Sequence, residues 1–301
     1  MQNSTLLQNA TGPVEYKLTN DYLFRAVFQK NTHVLKGLIC SLLYLKEAEI
    51  QSVEIQNPIK LGESFEEKDI ILDLNILLNN AQRLNIEMQV CDLNDWPERS
   101  LYYLCRAYCS LNKGDDYIDV LPTIHIGILN FTLFPDEPEF YSKNLMTNIK
   151  THKVYSSKFA LNVLDLKSIN LATNEDKACK LDYWANLFKA TTWEEIRMLA
   201  EQNHFVHEAA VTMRELTADE KIRLQCEARE RYELDQRSTM ASGIRKGKQE
   251  QKEIDDAIKD AALAEKDTVI FEKETVISEK DAALFEKDKE IDKLRKLLKN
   301  K

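Results

Sequence analysis

Two runs of alternating side chains around a short polar turn constrain the fold of this 301-residue chain most strongly. Residues 69–78 are rich in Ile and Leu, and residues 83–91 alternate apolar with polar side chains. Asn79-Asn80-Ala81 between them is a turn signal, so the sequence predicts a β-hairpin. The apolar side chains of its second arm would cover one face of a sheet and the polar ones the other.

The register of this hairpin decides whether two acidic side chains meet. A three-residue loop pairs Leu78 with Gln82. Asp73 then lies directly opposite Glu87 on the same face, with Cβ atoms about 5 Å apart. Gln89, two residues further on, shares that face. A two-residue loop would instead place the two acids on opposite faces of the sheet.

Two facing carboxylates have a chemical consequence, because they repel each other unless a cation lies between them. Mg²⁺ is the obvious candidate, since it commonly takes one or two carboxylates together with water and phosphate oxygens. Gln89 could orient a water molecule or contact a phosphate oxygen, but its amide does not titrate. Acidic residues on the wet face of a hairpin are the alternative, and spacing alone leaves both interpretations open.

The segments around the hairpin complete an α/β pattern. Helix-capping side chains at 19–21 precede an apolar stripe of helical spacing. Further predicted helices cover residues 34–44, 97–112 and much of 174–236, and predicted strands cover 53–57, 120–134 and 159–166. Residues 139–156 are predicted to be a polar excursion. The sequence therefore predicts a mixed α/β body followed by a helical subdomain.

The C-terminal segment, residues 249–301, repeats every seven residues. One apolar column follows this period, at Leu263, Ile270, Ile277, Leu284, Ile291 and Leu298. A seven-residue period is typical of a coiled coil, but a stable pair of helices needs two apolar positions per heptad. The segment is therefore either a solvated single helix or a weak coiled coil that joins copies of the chain.

Charge and cysteine usage exclude some classes of protein. A net charge of −9 excludes a histone-like protein that holds nucleic acid by bulk charge, but not a nuclease with a local positive surface. The six cysteines form no Cys-x-x-Cys pair, and the N-terminus resembles no secretory signal. We therefore expect reduced thiols in a cytoplasmic protein that has no membrane segment.

Four motifs in order carry a resemblance to a known family. They are NDYLFRAVF at 20–28, ILDL at 71–74, IEMQ at 86–89 and RSLYY at 99–103. With them, the chain resembles the PD-(D/E)xK nuclease family transposases, or recombination-promoting nucleases, over about residues 15–245. The resemblance implies a restriction-endonuclease-like core, with a mixed central sheet flanked by helices. It also implies a Mg²⁺- or Mn²⁺-dependent endonuclease that cleaves double-stranded DNA in recombination or mobile elements.

The resemblance gives roles to the hairpin residues. By this resemblance, Asp73 and Glu87 would be the catalytic acids that bind the metal. Gln89 stands where the wider superfamily has Lys, as in the similar transposase-like nucleases, so the general base stays open. The residue before Asp73 is Leu rather than Pro, which makes the first motif a loose match.

Further residues have a functional and an ordinary interpretation. Asp21 is either a supporting acid or a carboxylate that the helix dipole favours. Arg99 and Tyr102 share a helix face, and either flank the active site, with Arg99 on a phosphate, or simply pack and cover the surface. A loosely basic stretch is either a DNA-facing arm or a solvated loop: Lys143, Lys150, Lys153 and Lys158.

We therefore expect four parts in the chain. They are a disordered leader at 1–14, a nuclease-like core at 15–170, a helical subdomain at 171–248 and a heptad-patterned charged helix at 249–301. The principal hypothesis is a metal-dependent DNA endonuclease. The alternative is an inactive nuclease fold that binds DNA or assembles through residues 249–301.

Overall fold

The computed structural model describes residues 7–57, 74–109 and 111–299. Asp73 and the predicted loop at 59–68 lie outside the described residues. The strands of the described chain are β1 (Val53–Ile55), β2 (Leu74–Leu78), β3 (Gln82–Gln89), β4 (Thr123–Leu129), β5 (Tyr141–Leu145) and β6 (Phe159–Asp165). The main helices are α1 (Asp21–Lys30), α2 (Thr32–Leu43), α3 (Trp96–Tyr108), α4 (Asn174–Ala178), α5 (Leu181–Lys189), α6 (Trp193–Ala200), α7 (His204–Thr217) and α8 (Glu220–Lys299). Short 3₁₀ helices lie at Glu47–Glu49, Tyr117–Asp119 and Ile169–Leu171.

The strands form one mixed sheet in the order β1-β2-β3-β4-β6-β5. Strands β3, β4 and β6 are parallel at its centre, and β1, β2 and β5 join antiparallel. Helix α3 connects β3 to β4, as a parallel crossover requires. The predicted restriction-endonuclease-like architecture, a mixed sheet flanked by helices, is confirmed.

The hairpin has the predicted three-residue loop. Leu78 pairs with Gln82, and the ladder continues to Leu74 opposite Ile86. Asn79 and Asn80 have φ angles of 52° and 53°, in the left-handed region that asparagine tolerates better than most residues. The Asn79 side chain also accepts hydrogen bonds from the backbone amides of Gln51 and Ser52, which precede β1. These bonds tie the turn to the neighbouring strand β1.

Helices on both faces of the sheet give β3 two different environments. Leu84, Ile86 and Met88 belong to the main apolar core, which also contains α1, α2 and α5 to α7. Asn85 and Glu87, which alternate with them on β3, are buried and point to the opposite face, towards α3. Strand alternation therefore places polar side chains in a buried layer, where each needs a partner.

Residues 7–14, part of the predicted disordered leader, are ordered in the structure. Leu7, Ala10 and Val14 pack into the main apolar core. Val14 N donates to the backbone oxygen of Thr191 at 2.9 Å, a contact between distant parts of the chain that no local pattern reveals.

A second segment also differs from the prediction made from sequence. Residues 139–156, predicted as a polar excursion, contain β5, which pairs with β6 at the edge of the sheet. The prediction was wrong because an edge strand needs only one paired neighbour and β5 is mostly exposed. It therefore lacks the apolar alternation that reveals a half-buried strand.

Residues 1–237 and 238–301 are separate compact units, and α8 contributes to both. In the second unit the side chains of the apolar column from Leu263 to Ile291 are exposed, at 53% for Ile270 and 57% for Ile277. None of the described helices has the length and apolar character needed to cross a membrane. The domain boundaries expected from the sequence and the coiled coil stay predictions.

Candidate active site

Glu87 lies near the end of β3 and points towards α3, with 3% of its surface exposed. Arg99, in the first turns of α3, donates a hydrogen bond from Nη2 to Glu87 Oε1 at 2.6 Å. Glu87 Oε2 lies 3.8 Å from Nε2 of His125 on β4. A buried carboxylate needs such compensation, and Arg99, whose side chain is 30% exposed, supplies a full positive charge.

His125 is a neutral neighbour of Glu87. It is fully buried and lies opposite Asn85 in the β3–β4 ladder. The Asn85 amide donates to Nδ1 at 2.9 Å, which assigns the imidazole proton to Nε2, the atom that faces Glu87. Burial, and secondly the charge of Arg99, lowers the pKa of His125 to about 3. The positive charge beside Glu87 therefore comes from Arg99 and not from His125.

A glycine allows α3 to begin against this part of the sheet. Gly127 on β4 lies opposite Glu87 in the ladder. The buried ring of Trp96, the first residue of α3, occupies the space of a missing side chain, because a Cβ at Gly127 would lie 2.1 Å from Trp96 Cζ2. The contact positions the turn of α3 that presents Arg99 to Glu87.

Gln89, the last residue of β3, lies at a cleft beside Glu87. Its Nε2 donates to the backbone oxygen of Cys91 at 2.8 Å. The cleft is also lined by Asp21, Arg99, Arg229 and Glu233. It therefore combines an amide, two carboxylates and two guanidinium groups from four separate elements.

Asp21 is the first residue of α1 and is 3% exposed. Asn20 caps this helix by accepting a hydrogen bond from Leu23 N, and its Nδ2 donates to the Cys226 backbone oxygen. Arg229 of α8 binds Asp21 Oδ2 through both Nε and Nη2. Asp21 thus has the helix-start position expected for it, and also a strong ion pair to α8.

Glu233, one turn after Arg229, is a titratable group of this cleft that the sequence did not indicate. Burial, and secondly the charge of Asp21, raises the pKa of Glu233 to about 7, although Arg229 and Arg237 oppose that rise. Arg229, Glu233 and Arg237 follow each other at i, i+4 spacing. That spacing is also typical of a solvated helix, so it gave no specific signal of a buried position.

Tyr102 is 64% exposed, and its role at the site stays a prediction. The tyrosine that neighbours both Arg99 and His125 is Tyr103. The Arg99 guanidinium carbon is 5.6 Å from the Tyr103 ring centre, and that ring stacks on His125 at 6.2 Å. Both i+3 and i+4 positions neighbour a helical residue, and here the i+4 tyrosine faces the sheet.

The four candidate DNA-binding lysines differ in their surroundings. Lys158 Nζ donates to the backbone oxygens of Ile118 and Val120, at 2.6 and 2.9 Å. Lys143 Nζ lies 3.3 Å from the centre of the Tyr44 ring, and burial lowers the pKa of Lys143. Lys150 and Lys153 are exposed on the segment that follows β5. Lys143 and Lys158 therefore already have partners within the protein.

The fold and these residues are consistent with one class of protein. A mixed six-strand sheet between helices, with a buried glutamate beside a glutamine at the end of a hairpin strand, fits the nuclease-like α/β class. The family model described as PD-(D/E)XK nuclease family transposase matches residues 18–243, and the chain belongs to this family. The match confirms the resemblance and extends from α1 into α8. No curated protein and no solved structure matches the chain significantly.

Proposed function

We propose that this protein is a Mg²⁺-dependent endonuclease that cleaves double-stranded DNA in recombination or in mobile elements. The observation that carries the proposal is the buried Glu87 carboxylate beside Gln89, on the hairpin strand of a nuclease-family member. Asp73 and Glu87 would hold the metal, with Mn²⁺ as a substitute. The cysteines, all unpaired, fit a cytoplasmic location.

The donor groups of the site fit such an ion. Leu74 pairs with Ile86, and the same register continued by one residue would set Asp73 opposite Glu87. Carboxylate and amide oxygens are the ligands that Mg²⁺ prefers. Arg99 now neutralises Glu87, so a bound ion would share or replace that contact. Mg²⁺, when bound, would polarise the scissile phosphate and lower the pKa of an attacking water.

The side chains around the metal ligands would position the substrate. Arg99 is partly exposed at the cleft and can donate to a phosphate oxygen. Gln89 can orient a water molecule or contact the phosphate, but it cannot take up a proton. Glu233, whose pKa lies at about 7, lines the same cleft and can exchange a proton at neutral pH.

The phosphate backbone of the DNA would contact the exposed lysines. Lys150 and Lys153 are available for phosphate contacts, whereas Lys143 and Lys158 would first have to leave their present partners. Because few cations contribute and the net charge is −9, nonspecific affinity should be modest and salt-sensitive.

The test of the proposed function is a plasmid nicking assay with purified protein. We expect supercoiled DNA to be nicked with Mg²⁺ or Mn²⁺ and left intact with excess chelator. Asp73→Ala, purified in parallel, should be inactive, because one of the two proposed metal ligands is missing. Equal activity of the variant and the wild type would identify a contaminant or another site and contradict the proposal.

A second candidate function is assembly through the C-terminal helix by an inactive nuclease fold. The exposed apolar column favours it, because unpartnered Ile and Leu side chains at seven-residue spacing can pair between helices. Two further features are compatible with a loss of nuclease activity. The chain is acidic overall, and Gln89 occupies the position where the wider superfamily has Lys.

Removal of residues 249–301 is expected to lower the number of chains per particle, which is the mass from light scattering divided by the mass of one chain, and to leave any nicking largely intact. Ile270→Lys with Ile277→Lys in the full chain should lower the number of chains per particle in the same way, because charges would replace the apolar column. Thr268→Lys with Thr275→Lys adds the same charge off the column and is the control. An unchanged number of chains per particle on truncation would rule out assembly through this helix.

A further inference from the structure

We propose that His33, Glu47 and His204 form a binding site for a divalent transition-metal ion of the zinc class, separate from the nuclease cleft. Three different elements supply these side chains: α2, the 3₁₀ helix at Glu47–Glu49 and α7. Their ligand atoms lie within 4.8 Å of one another, and in the described part of the chain no other group of three such residues does.

The spacing of the donor atoms suits a small tetrahedral ion. His33 Nε2 lies 3.6 Å from Glu47 Oε1. Ligands about 2.0–2.1 Å from a tetrahedral Zn²⁺ are about 3.3 Å apart, so this pair is already near ligand spacing. The three side chains are exposed and can rotate, so the third donor can close the remaining gap.

A second observation points independently to a ligand at His33 Nε2. Glu208 Oε2 lies 2.8 Å from His33 Nδ1, on the ring atom that faces away from Glu47. With a proton on Nδ1, the Nε2 lone pair points to Glu47. A carboxylate behind a histidine is the usual outer partner of a metal-bound imidazole, because it fixes the tautomer and makes the ring more basic.

Helix caps and a close contact between helices hold the backbone at the two histidines. Asn31 caps α2 by accepting from Val34 N, and Asn203 caps α7 by accepting from Phe205 N. The two helices approach closely at Gly37, where a Cβ would lie 2.3 Å from the Phe205 ring. His33 and His204 therefore project from fixed helix starts, and only their side chains must adjust.

Charge and donor type favour a transition metal over Mg²⁺. Imidazole suits Zn²⁺, Co²⁺, Ni²⁺ and Cu²⁺, whereas Mg²⁺ takes oxygen ligands. Glu47 and Glu208 together balance a divalent ion bound to two neutral imidazoles. Lys36 Nζ lies 3.7 Å from Glu47 Oε1 and would compete with the ion for that oxygen. An ion held here would link α2 to α7 and stabilise this helical layer.

Cobalt(II) is a suitable probe, because its visible spectrum reports coordination. We expect the full-length protein to bind one Co²⁺ in excess Mg²⁺, without the intense near-ultraviolet band of a thiolate ligand. His33→Gln with His204→Gln should abolish binding, and Glu208→Gln should weaken it about 10–100-fold. Lys36→Met should strengthen binding, and His152→Gln, an exposed histidine outside the cluster, should leave it unchanged.

Thermal unfolding separates binding from folding. In chelator, the double variant should unfold at the wild-type temperature, since both side chains are on the surface. Added Zn²⁺ should raise the unfolding temperature of the wild type and not of the double variant. Absence of Co²⁺ uptake by the wild type would overturn the proposal. So would equal uptake by the double variant, or a thiolate band that assigns the ion to cysteine.

Discussion

Glu87→Gln is expected to lower the rate of plasmid nicking at least about 100-fold, the scale of losing one electrostatic group at an active site. The substitution keeps the shape of the side chain and an oxygen that can accept from Arg99 Nη2. It removes the negative charge that would bind the metal. Arg99 is partly exposed, so its guanidinium can turn to solvent and the protein should stay folded.

Metal titration distinguishes loss of a ligand from general damage. If Glu87 binds Mg²⁺, the residual activity of Glu87→Gln should require a higher Mg²⁺ concentration for half-saturation than the wild type. Glu98→Gln, on the exposed side of the first turn of α3, is the matched control and should keep full activity. Glu87→Gln with wild-type rate and metal dependence would remove Glu87 from the proposed mechanism.

The hairpin and its polar face could be predicted because their signals are local. Asn79 and Asn80 set the loop, and alternation along β3 then places Glu87 and Gln89 on one face. A wrong loop length would have reversed the face, so the hairpin register is the strongest confirmed inference from sequence. The opposite arm is confirmed only as far as Leu74, and the role of Asp73 stays a prediction.

The rest of the candidate site depends on contacts between distant parts of the chain. His125 reaches Glu87 only because β4 is parallel to β3 in one particular register. Arg229 and Glu233 reach the cleft from α8, more than 200 residues after Asp21. Their spacing equals that of exposed charged helices, so no pattern in the sequence marks them as buried.

Gly127→Ala is expected to reduce the free energy of unfolding by about 1–3 kcal/mol or more, the range for overpacking a filled core. The added Cβ would lie 2.1 Å from Trp96 Cζ2. Trp96 is 1% exposed, so moving its ring out of the way would expose apolar surface that is now buried. Because Trp96 begins α3, the same substitution should displace Arg99 from Glu87 and reduce nicking. Denaturant unfolding measures the first effect.

A second substitution shows whether the collision with Trp96 is the cause. Trp96→Phe shortens the ring that meets the new methyl group. Combined with Gly127→Ala, it should therefore cost less than the sum of the two single changes, by about 1 kcal/mol or more. Gly243→Ala, in open space on α8, is the control and should be neutral or stabilising, since Ala favours a helix over Gly. Strict additivity of the Gly127 and Trp96 substitutions would mean that the ring is not what excludes a side chain beside Glu87.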